Sequence, residues 1–370
     1  MKRALFEVIE KQLYKDKTIL LFGPRRAGKT HLVREIIKSN GGKYFNAENL
    51  DVRAQLATTS LSLLSEFVGK DTLIVIDEAQ ELPDAGKKLK VLHDTFPDVQ
   101  FIATGSSAFE MSNSIADALL GRSRYYKLYP ISYDELRQAT SGFDAYAQID
   151  PILRFGSYPE VLLSPEAERK AELLTIAGTY LYKDFEANNQ LRRADIADEI
   201  LKLLAYQLGQ QVSLNEIANA TKTTVKTVSR YIHLLEEAFI VFHLGSYSRN
   251  LRNEIGKSRK YYFIDLGIRN AIINNFNPLA MRNDVGQLWE NYCVVERIKR
   301  NENTRQHFNT YFWRTYDQKE IDYIEEADGK LNAFEFKWSD KPGKPPKAFM
   351  EGYPGSSYTV ITKENFFEFV

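Results

Sequence analysis

A short loop between an apolar run and a helical segment constrains the fold of this chain more than any other feature. The run "TILLF" predicts a buried strand, and "HLVREIIK" predicts the first turns of a helix. Between them, the stretch from Gly23 to Thr30 has the pattern G-x-x-x-x-G-K-T. Its glycines let backbone N–H groups turn inward, and the N-terminus of the helix adds a positive dipole. This arrangement predicts a loop that binds phosphate.

A second apolar strand supports this interpretation because it ends in carboxylates. The segment "TLIVIDEAQ" places Asp77 and Glu78 at its end. Asp77 could hold Mg²⁺ together with the Thr30 hydroxyl, and Glu78 could align and deprotonate an attacking water. Lys29 would neutralise the β- and γ-phosphates. We therefore predict ATP and Mg²⁺ as cofactors.

A third strand, "VQFIATGSS", ends in hydroxyl side chains. If it inserts between the two motif strands, Thr104 or Ser106 could sense the γ-phosphate, although "TGSS" is also ordinary turn chemistry. The predicted nucleotide-binding residues are Gly23, Pro24, Arg25, Arg26, Ala27, Gly28, Lys29, Thr30, His31, Asp77, Thr104 and Ser106.

Two arginines follow in "LLGRSRYYKL", at the start of the last strand of this region. Arg122 or Arg124 could stabilise the transition-state charge on the nucleotide of a neighbouring subunit. An exposed structural role is the alternative for both. A role in trans would require a homo-oligomer. The predicted catalytic residues are Lys29, Glu78, Arg122 and Arg124.

Composition excludes several classes of protein. The 370 residues are enough for two or three domains, and Lys plus Arg equal Asp plus Glu at 49 each. A uniformly basic coat for nucleic acid is therefore excluded, and any DNA contact must use a local patch. The single Cys293 rules out an intrachain disulfide, and the five His residues form no spaced zinc motif with it. The charged N-terminus and the lack of a long apolar stretch predict a cytoplasmic protein with no membrane segment.

These motifs together resemble those of a protein family. "GPRRAGKT", "LIVIDEAQ", "ATGSS" and "LLGR" followed by "LYPISYDEL" are similar to bacterial and archaeal AAA-type ATPases that carry a C-terminal domain of unknown function. "RFGSYPEVLL", "YLYKDF" and "GQLWENYCVVE" extend the resemblance over nearly the whole chain.

The resemblance implies an α/β protein with four regions. They are a P-loop AAA-type core with a parallel sheet, a helical lid, a winged helix-turn-helix and a C-terminal α/β nuclease-like domain. We place them at residues 1–140, 141–210, 211–262 and 263–370. The resemblance also implies a ring-shaped homo-oligomer, with a hexamer as one form.

The segment "SLNEIANATKTTVKTVSRYIHLLEEAFIV" has the pattern of a helix-turn-helix independently of the family. Its second helix has an apolar stripe at Val225, Val228, Ile232 and Leu235, and Thr223 or Thr224 can cap it. From Lys222 to Lys260, eight Lys and Arg stand against three Glu, a local excess in a neutral chain. This excess predicts DNA contact, with a packing module as the alternative. The predicted DNA-binding residues are Lys222, Thr224, Lys226, Thr227, Arg230, Arg249, Arg252, Lys257, Arg259 and Lys260.

Near the C-terminus, the segments "QKEIDYIEE" and "LNAFEFKW" predict a hairpin with a turn at Asp328–Gly329. Glu335 and Lys337 are two residues apart and so share one face of a strand, next to Asp322. Two carboxylates and a lysine there could hold a metal ion and orient water. An exposed ion pair is the alternative.

The pattern resembles the core of the PD-(D/E)xK nuclease superfamily, and Glu290 matches its helix-borne acid. The resemblance implies that Glu290, Asp322, Glu335 and Lys337 are the nuclease residues, the three acids being metal ligands. The full set of predicted metal ligands is Thr30, Asp77, Glu290, Asp322 and Glu335.

Three functions remain open from the sequence. The first is an ATP-dependent, DNA-associated machine, for which metal-dependent cleavage of DNA by the C-terminal domain is an open further activity. The second is a nucleotide-switched regulator or scaffold for a protein partner, with an inactive nuclease-like domain. The third is a sequence-specific DNA-binding regulator that does not process DNA. Stimulation of ATP turnover by DNA distinguishes the first from the second.

Overall fold

The computed structural model describes residues 1–58, 60–105, 117–187, 194–248, 259–315, 317–339 and 343–370. The chain divides into two compact units, Met1–Ile131 with Glu237–Phe239, and Ser132–Glu236 with Ile240–Val370. The predicted region limits at residues 140, 210 and 262 stay predictions. Among the described residues, no helix is both long and apolar enough to cross a bilayer.

The first unit contains a parallel sheet with strands in the order β2-β3-β4-β1-β5. The strand β4 lies between β1 and β3, so the condition set for "VQFIATGSS", a place between the two motif strands, is met. The elements are α1 (Leu5–Glu10), β1 (Thr18–Phe22), α2 (Lys29–Asn40), β2 (Lys43–Asn46), α3 (Leu50–Ala57), α4 (Leu61–Val68), β3 (Leu73–Asp77), a 3₁₀ turn (Ala79–Glu81), α5 (Ala85–Thr95), β4 (Gln100–Gly105) and β5 (Ser123–Lys127).

Helices cover both faces of this sheet because its central strands are apolar on both faces. On β1, Leu20 packs with α3, α4 and α5, whereas its neighbours Ile19 and Leu21 pack with α1 and α2. Successive side chains of a strand point to opposite faces, so the uninterrupted run "TILLF" fills two cores at once. The carboxyl ends of β1, β3 and β4 consequently meet at one edge.

The second unit begins with short helices and continues with two longer ones. Asp265 connects its parts, because its carboxylate accepts hydrogen bonds from the N–H of Ser157 at 2.7 Å and of Ile268 at 3.2 Å. The helical elements before the second sheet are α6 (Tyr133–Ala139), α7 (Gly142–Ala147), α8 (Ile149–Phe155), α9 (Pro159–Leu163), α10 (Glu166–Ala187), α11 (Ala194–Tyr206), α12 (Leu214–Ala220) and α13 (Val225–Glu237).

A mixed sheet of this unit has the strand order β12-β11-β10-β9-β7-β8-β6. The strands β7 and β9 pair in parallel, so the sheet continues across the limit predicted between residues 262 and 263, which itself falls within β8. The remaining elements are β6 (Gln211–Val212), β7 (Val241–Ser246), β8 (Arg259–Phe263), α14 (Leu266–Ile272), a 3₁₀ turn (Leu279–Met281), α15 (Val285–Asn303), β9 (Asn309–Arg314), β10 (Glu320–Ala327), β11 (Lys330–Phe336), α16 (Lys347–Gly352), β12 (Ser357–Ile361) and α17 (Phe366–Phe369).

The predicted apolar stripe of α13 is buried with one exception. Val228 and Leu235 are fully buried and Ile232 is nearly so, whereas Val225 is 39% exposed. Val225 is the first residue of the helix, where fewer neighbours surround the side chain. The predicted hairpin near the C-terminus is present: β10 and β11 pair in antiparallel fashion around Asp328 and Gly329.

Candidate functional site

The phosphate-binding loop lies between β1 and α2, as the sequence predicts. Gly23 has a φ of +154°, and a Cβ built there would stand 2.1 Å from the carbonyl oxygen of Leu128. Only glycine fits that position without a shift of the Leu128 backbone. Gly28, with a φ of +98°, directly precedes the first residue of α2. The two glycines of the motif therefore set the path of the loop.

Lys29 is the cation that the loop holds inside. It is 4% exposed, and its Nζ donates to the carbonyl oxygens of Gly23 at 2.9 Å and Pro24 at 3.0 Å. An amine held at the carbonyls of its own loop is placed to neutralise phosphate oxygens that bind there.

A buried arginine near the N-terminus also contacts the loop. Arg3 is 4% exposed, and its guanidinium donates to the carbonyl of Ala27 at 2.5 Å and to that of Tyr129 at 2.6 Å. No motif in the sequence indicates Arg3, because its contacts lie far along the chain. Its two hydrogen bonds tie the loop to the segment that follows β5.

Asp77, at the end of β3, accepts hydrogen bonds from several hydroxyl groups. Its Oδ2 accepts a hydrogen bond from Thr30 Oγ1 at 2.7 Å, and its Oδ1 accepts one from Thr104 Oγ1. A hydroxyl and a carboxylate side by side are the oxygen donors that Mg²⁺ prefers, so Thr30 and Asp77 fit a Mg²⁺ ion bound with a nucleotide. Thr104 thus contacts Asp77 directly, and its hydroxyl accepts from the N–H of Glu78 at 3.1 Å.

Tyr44 is a further member of this site that the sequence analysis missed. Its phenol donates to Oδ2 of Asp77 at 2.5 Å, and the guanidinium of Arg34 lies 4.8 Å from its ring centre. Burial and the hydrogen bond to Asp77 raise the pKa of Tyr44 to about 12, so the phenol stays protonated and remains a donor. The position follows from the parallel pairing of β2 with β3, in which Tyr44 is opposite Val75. No local sequence signal reports that register.

Glu78, the predicted base, follows β3 directly in a left-handed conformation with a φ of +53°. Its Oε2 accepts a hydrogen bond from Nε2 of Gln80 at 2.5 Å. The amide of Gln80 therefore holds the carboxylate that would have to reach an attacking water.

The other residues predicted for the nucleotide site have no described contact with Asp77 or Lys29. Arg122 is paired with Asp94 at 2.7 Å in the same chain, and Arg124 is exposed on the edge strand β5. His31 is exposed on α2, with its Nε2 3.4 Å from Glu35. Arg25 and Arg26 lie in the loop, and Ser106 falls outside the described residues.

Most of the polar residues in the segment predicted to be a helix-turn-helix are exposed. Thr224 accepts from the N–H of Thr227 at 3.2 Å, so it is the hydroxyl that caps α13. Lys222, Lys226 and Arg230 are exposed and Thr227 is half-buried. Of the remaining predicted DNA contacts, Arg259 is exposed, whereas Arg249, Arg252 and Lys257 fall outside the described residues.

Lys260 corrects the prediction of a surface role. It is 1% exposed, and its Nζ lies 3.0 Å from Glu290 and 3.8 Å from Asp322 and pairs also with Glu320. The prediction failed because a lysine in a basic run reads as a surface residue. Here the side chain points into the unit, where carboxylates from α15 and β10 compensate the cost of burying its charge.

The four predicted nuclease residues are brought together in this second cluster. The N–H of Phe336 donates to Asp322 at 2.9 Å, and Lys337 pairs with Glu335 at 2.6 Å. Burial and the nearby charge of Asp322 raise the pKa of Glu290 to about 8 and also raise the pKa of Glu335. Burial raises the pKa of Asp322 as well. The raised pKa values follow because Glu290, Asp322 and Glu335 are buried close together, and the nearby positive charges do not fully offset the cost of their ionisation.

A metal ion does not fit these carboxylates as they stand. Within the described parts of the chain, no three His, Cys, Asp or Glu side chains are grouped to hold one. The amine of Lys260 contacts both Glu290 and Asp322. The phenol of Tyr262 also donates a 2.7 Å hydrogen bond to Glu290. The predicted metal set of Glu290, Asp322 and Glu335 is therefore not supported.

Comparison with known proteins divides the chain into three regions. Residues 15–137 match a family described as "AAA domain". Residues 147–279 and 285–369 match two families described as domains of unknown function (DUF8612 and DUF4143).

Two relatives that match most of this chain are described as uncharacterized proteins. An uncharacterized protein of Mycobacterium tuberculosis is 28% identical over 90% of this chain and 73% of its own length. Another, from Haemophilus influenzae, is 25% identical over 84% of this chain and 80% of its own length.

Among solved structures, a Walker-type ATPase of Pyrococcus abyssi is similar with a TM-score of 0.52 and 15% identity. The similarity covers 74% of this chain and 95% of that protein. At this identity the likeness concerns the fold alone. Together with the family match and the geometry of the loop, it identifies residues 15–137 as a P-loop domain of the AAA type.

Proposed function

We propose that the chain is an ATPase that binds ATP with Mg²⁺ at the loop between β1 and α2 and hydrolyses it. The observation that carries this proposal is the convergence of Lys29, Thr30, Asp77 and Glu78 on one edge of the parallel sheet. The P-loop, the hydroxyl–carboxylate pair and the second carboxylate are the parts that phosphoryl transfer to water requires.

Each residue has a separate task in this mechanism. Lys29 exchanges the carbonyls of Gly23 and Pro24 for phosphate oxygens and neutralises their charge. Thr30 and Asp77 would hold Mg²⁺, which supplies positive charge to the phosphates when it is bound. Glu78 accepts the proton of the attacking water, for which its carboxylate must leave the amide of Gln80.

Phosphate release tests the ATPase directly. Wild-type protein should release phosphate from ATP in the presence of Mg²⁺, and Lys29→Ala should lose both hydrolysis and nucleotide affinity. Glu78→Gln should keep nucleotide affinity while turnover falls by about 10²-fold or more, because only the base is removed. Retention of full turnover by Glu78→Gln would assign the base to another residue.

We also propose that the second unit binds DNA through the exposed face of α13. Lys226 and Arg230 lie at the surface of α13, and Lys222 is exposed in the short turn between α12 and α13. Helix-turn-helix proteins reach the major groove with such a second helix. Arg259 adds an exposed cation on β8. The local charge, rather than the fold, is the physical reason for the proposal.

The alternative is a nucleotide-switched scaffold that binds a protein partner. The observation that favours it is Lys260, because a carboxylate cluster already paired with a lysine does not support metal-dependent cleavage of DNA. The two proposals differ in salt dependence. DNA binding should weaken steeply as salt rises, whereas an interface with a protein partner would respond little.

A homo-oligomer remains a proposal that rests on Arg122 and Arg124. Arg122 is paired with Asp94 of its own chain, so a role in trans would require that pair to open. If either arginine acts on a neighbouring nucleotide, ATP turnover per chain should rise with protein concentration. Turnover that is constant down to a proven monomer would contradict this role.

A further inference from the structure

We infer that the amine of Lys260 takes the place of a metal ion in the C-terminal carboxylate cluster, so that this part of the protein is metal-independent. The inference goes beyond ATP hydrolysis and DNA binding and depends on neither. It concerns Glu290 on α15, Glu320 and Asp322 on β10, and the lysine on β8.

The contacts of the amine carry the inference. Nζ of Lys260 is 3.0 Å from Glu290 and 3.8 Å from Asp322, and it also pairs with Glu320. One cation thus contacts three carboxylates from two elements, which is the arrangement expected of a bound cation. Oxygen ligands of Mg²⁺ stand at about 2.1 Å from the ion in an octahedron that usually includes several waters. An ammonium between the same oxygens excludes that shell.

The amine is also fixed in position. Lys260 lies within β8, in register with Leu244 of β7 and Gln211 of β6, so strands flank it on both sides. Its side chain is 1% exposed, and Nζ lies 5.6 Å from the ring centre of Phe312. Burial, and strand pairing on both sides, restrict the movement of the amine.

Electrostatics around the cluster agree with a permanent cation. Burial alone would lower the pKa of Lys260, but Glu290, Asp322 and Glu320 outweigh it and hold the pKa above its ordinary value. Arg314 lies 3.2 Å from Glu320 and adds a second positive charge at the edge. The acids around the amine therefore favour its charged form, and they are the groups that it contacts.

Glu335 and Lys337 lie on the other side of Asp322 and form a pair of their own. Lys337 Nζ is 2.6 Å from Oε1 of Glu335, and the side chain of Lys337 is 41% exposed. Oε1 of Glu335 is thus paired, whereas its Oε2 is buried without a hydrogen-bond partner. One free oxygen is fewer than the several oxygen ligands that a divalent ion requires. Loss of Lys260, and not of Lys337, should create a site for a divalent cation.

Thermal melting of the nucleotide-free full chain tests the inference. We would compare EDTA with 1 mM MnCl₂ for wild type, Lys260→Met, Glu290→Gln and Arg259→Met. Wild type should melt at the same temperature in both. Lys260→Met should melt about 5 °C or more below wild type in EDTA, because it leaves buried carboxylates unpaired, and Mn²⁺ should recover much of the loss. Arg259→Met, a neighbour that is exposed on the same strand, should show neither effect.

The opposite results would overturn the inference. Wild-type melting that rises with Mn²⁺ and loses this response in Glu290→Gln would show that the native cluster binds metal despite the lysine. A folded Lys260→Met that does not respond to Mn²⁺ would show that the amine does not occupy a cation site. If Lys260→Met does not fold even with Mn²⁺, free Mn²⁺ measured by paramagnetic resonance in wild type and Glu290→Gln decides: equal binding supports the inference, and weaker binding by the variant contradicts it.

Discussion

The phenol of Tyr44 donates a 2.5 Å hydrogen bond to Oδ2 of Asp77, the same oxygen that accepts from the hydroxyl of Thr30. Two donors from different elements therefore fix the orientation of one carboxylate. Because Asp77 and Thr30 would hold Mg²⁺, the orientation that Tyr44 imposes should matter for Mg²⁺ affinity.

Tyr44→Phe should raise the Mg²⁺ concentration needed for half-maximal ATP hydrolysis by about fivefold, the value of a hydrogen bond of about 1 kcal/mol. The Mg²⁺-dependent part of ADP affinity, measured by calorimetry, should fall in parallel. Tyr125→Phe, on the partly exposed edge strand β5, is the matched control and should change neither quantity. An unaltered Mg²⁺ dependence in Tyr44→Phe would remove Tyr44 from the site.

Substitutions on the exposed face of α13 should weaken DNA binding without unfolding the protein. Lys226→Ala and Arg230→Ala remove side chains that are exposed. Each should lower the slope of log affinity against log salt by about one, as expected for the loss of one phosphate contact. Fluorescence anisotropy with a labelled duplex at several salt concentrations measures the slope. Lys347→Ala, on exposed α16, serves as the control and should leave it unchanged.

Asp284 should make the stability of the second unit depend on pH in the acidic range. Burial opposes its ionisation, but hydrogen bonds from Arg282 at 2.8 Å and Arg269 at 2.6 Å lower its pKa from 3.8 to about 2. The folded pKa lies below the unfolded one, so the stabilisation is complete above about pH 4 and disappears as the pH falls towards 2. It amounts to about 2 kcal/mol.

Asp284→Asn should therefore lower the free energy of unfolding near neutral pH and flatten its fall between pH 4 and 2. Urea unfolding at a series of pH values checks both. Asp198→Asn, in an exposed pair with Lys202, should have little effect. Parallel pH profiles for wild type and Asp284→Asn would contradict the assignment.

A buried ion pair between α15 and β10 should dominate the stability of the C-terminal region. Arg297 donates to both oxygens of Glu325, from Nε at 2.9 Å and from Nη2 at 2.7 Å, and the glutamate is fully buried. Glu325→Ala leaves the arginine charge unpaired and should cost about 3–5 kcal/mol in urea unfolding. Glu326→Ala, the next residue along, should cost less than about 1 kcal/mol. If Glu325→Ala lowers the free energy of unfolding by less than about 1 kcal/mol, water must solvate the guanidinium of Arg297 in place of the carboxylate.

Local patterns were sufficient for the loop between β1 and α2 and for the strands that follow it. Those features depend on glycines, apolar runs and capping residues that lie close together in the sequence. Tyr44 could not be found in this way, because its contact with Asp77 depends on the register between two strands. Arg3 was missed because its carbonyl partners, on Ala27 and Tyr129, lie far from it along the chain.

For Lys260 the local sequence led to a wrong prediction: a surface position was expected, and the side chain is buried. A lysine among seven other basic residues reads as part of a surface patch, yet its surroundings are set by acids that lie 30 to 62 residues further along the chain. Burial of a charge is a property of the tertiary structure, so composition within one segment does not report it. The same limit applies to the sheet that joins β7 with β9, since parallel pairing leaves no local signal.

Steady-state ATP turnover with and without duplex DNA shows whether ATP hydrolysis and DNA binding are coupled. We expect DNA to raise the turnover of the wild type. Lys226→Ala with Arg230→Ala should abolish this rise while basal turnover is retained, and Lys29→Ala should have no turnover in either condition. Wild-type turnover that depends on Lys29 but is unchanged by any DNA would contradict the coupling and favour the nucleotide-switched scaffold.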